Sequence, residues 1–163
     1  MNKIKSNNKI LENMKIKKEL IGFCQNRLNE MIQTIQTAID DAQKSANEHI
    51  GAMESRYDTF KEESQDLKNA YTSQLELLYK INSNLKDISI KKSFSTVDYG
   101  AIVALADINY FIFSNILDDP IIINGNEYLP ISLTSPLGII LNGKKKNEEF
   151  EFNGKYFKIF DVY

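Results

Sequence analysis

The composition of the chain breaks near residue 90, and that break limits its fold more than any other feature. Residues 10 to 88 hold no proline and only two glycines, Gly22 and Gly51, and are rich in Glu, Lys, Gln, Asn, Leu and Ile. Residues 94 to 163 hold all three prolines, five of the seven glycines, and runs of Ile, Val, Phe and Tyr. The first stretch reads as helix and the second as strands and turns. Ile90-Lys91-Lys92-Ser93 reads as a linker, and the Asn- and Lys-rich residues 1 to 9 as a flexible terminus. Met14 is an alternative start, because the strong helical pattern begins just after it.

Apolar positions in the first stretch step by three and four. Leu20, Cys24, Leu28, Met31, Ile35, Ala38 and Ala42 form one stripe, widened by Ile21, Ile32 and Ile39. Phe60, Leu67, Tyr71, Leu78, Ile81, Leu85 and Ile88 form a second, with Ser64 and Gln74 as polar members. Steps averaging about 3.5 residues keep a seam facing a partner helix, which is coiled-coil patterning. From Gln43 to Ser55 the pattern thins around Gly51. A glycine costs about 1 kcal/mol inside a helix, so the chain is expected to reverse there. The result is an antiparallel helical hairpin over residues 10–90 with its turn near 48–55, each arm roughly 50 Å long at 1.5 Å per residue. One unbroken dimerising helix is the alternative. Cys24 on the seam reads as a small core hydrophobe.

Charge along the hairpin is uneven. Asp40 to Asp66 carries eight acids (Glu48, Glu54 and Asp58 among them) against three bases, while the first twenty residues carry six lysines and two glutamates. An acidic end would be drawn into a positively charged cavity or towards a metal ion within one; a solvated helix surface is the plainer reading. One cysteine excludes an internal disulfide, and a single histidine, His49, excludes a His–His metal pair. His49 reads as a solvent-exposed helix-end residue. No segment approaches the ~18 uninterrupted apolar residues of a membrane span, and no leader pattern follows the basic start. The chain is therefore expected to be cytoplasmic.

The second stretch has clear punctuation. Val97 to Ala106 and Tyr110 to Ile116 read as strands, and Asp118-Asp119-Pro120 as a turn. Asn124-Gly125 and Asn153-Gly154 each sit between apolar runs, the signature of a two-residue hairpin. Ser135 is a good N-cap, Pro136 fits the first helical position, and Gly143 fits the position just past the helix end. A short helix on a small antiparallel sheet is expected over residues 94–163. With seven bases against nine acids after residue 90, this region carries no basic stripe for direct nucleic-acid binding.

Val97-Asp98-Tyr99-Gly100-Ala101-Ile102-Val103, Ile131-Ser132-Leu133-Thr134-Ser135-Pro136-Leu137-Gly138, and Leu141-Asn142-Gly143-Lys144-Lys145-Lys146-Asn147-Glu148-Glu149-Phe150 resemble the C-terminal domain of the GreA/GreB transcript-cleavage factors. The order of helical hairpin and β domain is also that family's. The resemblance spans about residues 14–163 and implies an α+β fold, with an antiparallel coiled-coil hairpin followed by an FKBP-like β domain. It implies a factor that binds bacterial RNA polymerase, meets RNA and DNA only through it, and is itself no enzyme. The coiled coil would enter the secondary channel, where tip carboxylates help hold a Mg²⁺ shared with the polymerase, which then cleaves its own backtracked RNA. No cofactor is bound by the factor alone.

The family's tip carries an Asp and a Glu three residues apart. Gly51-Ala52-Met53-Glu54-Ser55-Arg56-Tyr57 keeps the Gly and Tyr, is two residues shorter between them, and has no Asp after the Gly. Glu54 would stand in for the family's Glu and Glu48 would supply a second carboxylate, with Asp58 a further candidate. Ser135, Pro136, Leu137, Gly143 and Lys144 match most closely and are candidate polymerase contacts; capping and packing are their plainer roles. Asn147-Glu148 replaces the family's Gly-Asp. Two alternatives stay open: a channel-binding regulator that does not stimulate cleavage, and a coiled-coil or chaperone-like protein gripping another client through residues such as Ile50 and Met53. Prolyl isomerase chemistry does not follow from fold resemblance.

Overall fold

A computed structural model gives the arrangement; it describes the backbone of residues 2–48 and 54–163 and the side chains of residues 7–44 and 62–163. Two long helices, α1 (Asn2–Glu48) and α2 (Glu54–Lys86), precede a small mixed-sheet region with one short helix. The turn expected near Gly51 lies outside the described residues. The chain divides into two compact units, Leu28–Asn84 and Met1–Arg27 with Leu85–Tyr163. This division falls inside both long helices rather than at the 90–93 linker. Helix α1 already begins at Asn2, so the stretch that composition marks as a flexible terminus is helical. Lys9 Nζ lies 2.6 Å from Asp161 Oδ2, within the second of these units.

In the Leu28–Asn84 unit the helices run antiparallel. Gln36 Nε2 donates to Tyr79 Oη at 2.9 Å, and Lys68 Nζ donates to Gln43 Oε1 at 2.9 Å. Moving back along α1 therefore moves forward along α2. Leu28, Ile32 and Leu78 are buried here. The α2 seam differs from the expected one: Leu67 is 47% exposed and Gln74 is exposed, while Ser64, Lys68, Tyr71 and Leu75 are half-buried. Steps of four and three through 64, 68, 71, 75 and 78 make a regular seam in which Lys68 occupies an inward position by hydrogen-bonding across the pair.

In the other unit, Ile16, Leu20, Cys24 and Leu85 are buried. Gly22 lies within α1, exposed, and a Cβ built on it would meet nothing within 4 Å. Gly22→Ala is therefore expected to raise stability by about 0.5–1 kcal/mol through lower unfolded-state entropy, measured as a higher urea midpoint at unchanged slope.

The sheet runs in the order β3-β4-β2-β1-β7. Its strands are β1 (Ile102–Ala104), β2 (Asn109–Ile112), β3 (Ile121–Ile123), β4 (Asn126–Ile131) and β7 (Asp161–Val162); β5 (Glu149–Phe152) and β6 (Lys155–Lys158) form a separate hairpin. The sheet is mixed rather than wholly antiparallel. Strand β4 pairs antiparallel with β3 but parallel with β2, placing Phe111 opposite Pro130. The stretch 113–125, which contains β3, serves as the crossover that a parallel pair requires. The apolar run Tyr156–Val162 also divides: β6 pairs with β5, and β7 crosses to pair with β1.

Both Asn-Gly turns form as the sequence indicates. Asn124 and Gly125 have φ of 52° and 77°, and Asn153 and Gly154 of 51° and 73°, the positive values a type I′ turn demands. Helix α3 (Pro136–Leu141) packs Leu137 and Leu141 into a core with Val103, Ile112, Phe150 and Ile159.

Candidate functional site

Three places carry chemistry, and the sequence had pointed to two of them. The first is the end of the helix pair nearest the chain reversal. Glu48 is the last residue of α1 and Glu54 the first of α2. The side chains of Glu48, Glu54 and Asp58, and all of His49, Ile50 and Met53, lie outside the described residues. Among the described residues on the same unit, Asp40, Asp41, Glu62, Glu63 and Asp66 are all exposed. Lys44 lies 3.9 Å from Asp41, a contact too exposed to neutralise much. Asp41 and Glu63 line an interhelical groove together with Ala38, Ala42 and Tyr71. The described part of this end is thus a field of hydrated carboxylates, hard oxygen donors of the kind Mg²⁺ accepts. Among the described residues no group of three or more His, Cys, Asp or Glu could hold a metal ion.

The second place is the segment around α3. Ser135 Oγ accepts from the Gly138 amide at 3.1 Å and donates to the Ser132 carbonyl at 2.7 Å, closing the helix start. Pro136 occupies the first helical turn and faces solvent; Leu137 is buried. Gly143 takes φ 76° past the helix end, and its amide donates to the Val97 carbonyl at 2.9 Å. The Lys144 carbonyl accepts from the Val97 amide at 2.7 Å, while its half-buried side chain lies 3.9 Å from Glu148. Capping and packing account for Ser135, Leu137 and Gly143. Pro136, Lys144 and the neighbouring Ile139, 65% exposed, form the part of this segment another surface would meet.

The third place was not singled out by sequence reasoning. Lys17 on α1 is only 2% exposed. Its Nζ sits 4.6 Å from the centre of the Phe94 ring, and Lys92 Nζ sits 4.5 Å from the same centre. Burial, and then the charge of Lys92, pull the Lys17 ammonium down to about 8. One signal was available: Lys17 lies seven residues before Cys24, in register with the seam, where a lysine is out of place. Cys24 itself is fully buried, and burial pushes its thiol up to about 12, so it is an inert core residue. Asp161, which burial would raise, is instead held below the usual carboxylate range by hydrogen bonds from Lys9 and Lys146.

Among the described residues no helix is long and apolar enough to cross a membrane. No family profile matches the chain, and no curated protein matches it in sequence. Among solved structures, the transcription factor Gfh1 is similar at 17% identity and a TM-score of 0.35, over 85% of this chain and 92% of that one. The GreA factor homolog 1 (Gfh1) protein of Thermus thermophilus is similar at 16% identity and a TM-score of 0.36, over 85% of this chain and 94% of that one.

Proposed function

We propose that this chain is a transcription elongation factor of Gre type, which binds bacterial RNA polymerase and presents the acidic end of its helix pair inside the secondary channel. The observation that carries this reading is the pairing, in one chain, of antiparallel helices with exposed carboxylates flanking their reversal and a following mixed-sheet unit whose Ser135-Pro136 segment is capped as its motif requires. A carboxylate-rich helix end is attracted to the cationic walls that an enzyme handling nucleic acid must have. In this reading Glu48 and Glu54, with Asp58 as a further candidate, would supply oxygen ligands to a Mg²⁺ shared with the polymerase, which when bound would supply Lewis-acid chemistry for hydrolysis of backtracked RNA. Pro136 and Lys144 make the docking contact, on a segment shaped by Ser135, Leu137 and Gly143. The chain performs no reaction of its own, acts in the cytoplasm, and meets RNA and DNA through the polymerase.

The test is binding to core polymerase of the same cell, followed by RNA cleavage in a stalled, backtracked complex. A complex at micromolar concentration is expected, with Glu48→Ala and Glu54→Ala each slowing cleavage by about 10- to 100-fold while leaving binding intact. Binding without cleavage by the unchanged chain would make it a channel-occupying regulator. Failure to form any complex would remove the reading and leave a coiled-coil protein with another client.

A further inference from the structure

We infer that the pocket where α1 meets residues 90–93, centred on Lys17, binds a small oxyanion of the phosphate class. The pocket has a volume of about 70 Å³, several times what one water needs. Its polar lining comes from Asn13, Lys17, Lys91, Lys92, Ser93 and Tyr163, and no Asp or Glu is among its described lining residues. Ile10 and Met14 supply an apolar wall.

Lys17 is the reason this pocket is more than a surface depression. An ammonium carries three donors. Among the described residues the acceptor for Lys17 Nζ is the Lys92 carbonyl oxygen at 3.5 Å, the outer limit of a hydrogen bond. No carboxylate among them lies within ion-pair distance of it, whereas Lys92 has Asp98 at 3.5 Å. The Phe94 ring offers both cations the face of its quadrupole, which offsets part of the lost hydration and none of their mutual repulsion. A buried cation left in that state is unfavourable, and an anion entering the pocket would relieve the desolvation and the repulsion together.

The donor set selects the anion. A planar carboxylate is best held by the fork of an arginine, and no arginine is among the described lining residues. Separate point-charge lysines, a hydroxyl at Ser93 and an amide at Asn13 suit an oxyanion that accepts in several directions at once. That chemistry is shared by free phosphate and by a phosphate monoester.

The experiment uses the full chain with labelled lysines, following the Lys17 side-chain NMR signals at constant ionic strength. Inorganic phosphate is expected to shift the Lys17 and Lys92 signals saturably in the millimolar range or below, and to move the Lys17 titration from about 8 towards its ordinary 10.5. Adenosine monophosphate is the second arm; tighter binding than phosphate marks a monoester as the natural form, and equal binding marks the free anion. Lys17→Met should weaken phosphate binding at least about tenfold, while Lys145→Gln, outside the pocket, leaves it unchanged. Unmoved Lys17 signals with both phosphate and the monoester would overturn the inference, as would an equal response to acetate or chloride. The readout on the unaltered chain decides the matter even if a variant folds poorly, and it is independent of whether polymerase is the partner.

Discussion

Replacing Gly138 with alanine is expected to cost about 3 kcal/mol or more, a large fraction of the stability of an ordinary domain. A Cβ at this position would run into the backbone carbonyl of Ser132 and come within 2.9 Å of Leu133 Cα. Neither is the end of a flexible side chain. The Ser132 carbonyl is also held in place: it accepts from the Ser135 amide at 3.1 Å and from Ser135 Oγ at 2.7 Å, and the Ser132 amide donates to Asn115 Oδ1 at 2.8 Å. Retreat would break these bonds or pull Leu137 and Leu141 out of the core. Gly143 is the internal comparison. Its φ of 76° strains a side chain, but nothing lies within 4 Å of the added atom, so Gly143→Ala should cost only about 1–2 kcal/mol. Urea unfolding followed by tyrosine fluorescence measures both. Equal losses at the two positions would show that α3 does not rest on the 132–133 backbone.

Lys17→Met is expected to stabilise the protein at neutral pH. The ammonium is buried and its folded value of about 8 lies below the ordinary 10.5. Between those two values the unfolded chain binds more protons than the folded one, so stability rises with pH across the window. Below about pH 8 the full penalty is present, roughly 3 kcal/mol at 1.36 kcal/mol per unit. Methionine keeps the unbranched stem and removes the charge, so the variant should lose this slope and gain up to that amount near pH 7 in phosphate-free buffer. Tyr99 acts in the opposite sense: burial, with a smaller push from the Asp87 charge, raises it to about 12. The folded chain then holds a proton that the unfolded one releases above about pH 10, and stability falls again. The difference between wild type and variant from pH 7 to 10, by chemical denaturation, isolates Lys17. Parallel curves would mean that its ammonium reaches water.

Much of the fold was legible because its signals are local. The helix start at Ser135-Pro136, the stop at Gly143 and both Asn-Gly hairpins depend on the conformational limits of one or two residues, and they form where those residues stand. The α2 seam differs from its apolar pattern because Leu67 looks like a core residue. It is exposed, while Lys68 takes an inward place by donating a hydrogen bond to the partner helix, which no single-helix pattern contains. For the candidate site, the acidic flank of the chain reversal was readable as charge. Lys17 was marked only by its register with the seam, since its burial depends on Phe94 and Lys92, more than seventy residues away.

By itself the amino-acid order determined two long proline-free helices and a turn-rich region with one capped helix. Period, cap and turn chemistry act over a few residues, so each is complete within its own segment. Only the tertiary structure decided that β4 lies parallel to β2, that β7 leaves its hairpin neighbour to join β1, and that a lysine is enclosed against an aromatic ring. These outcomes depend on which surfaces segments far apart in the chain bury against one another, and the local pattern of any one segment does not decide that competition.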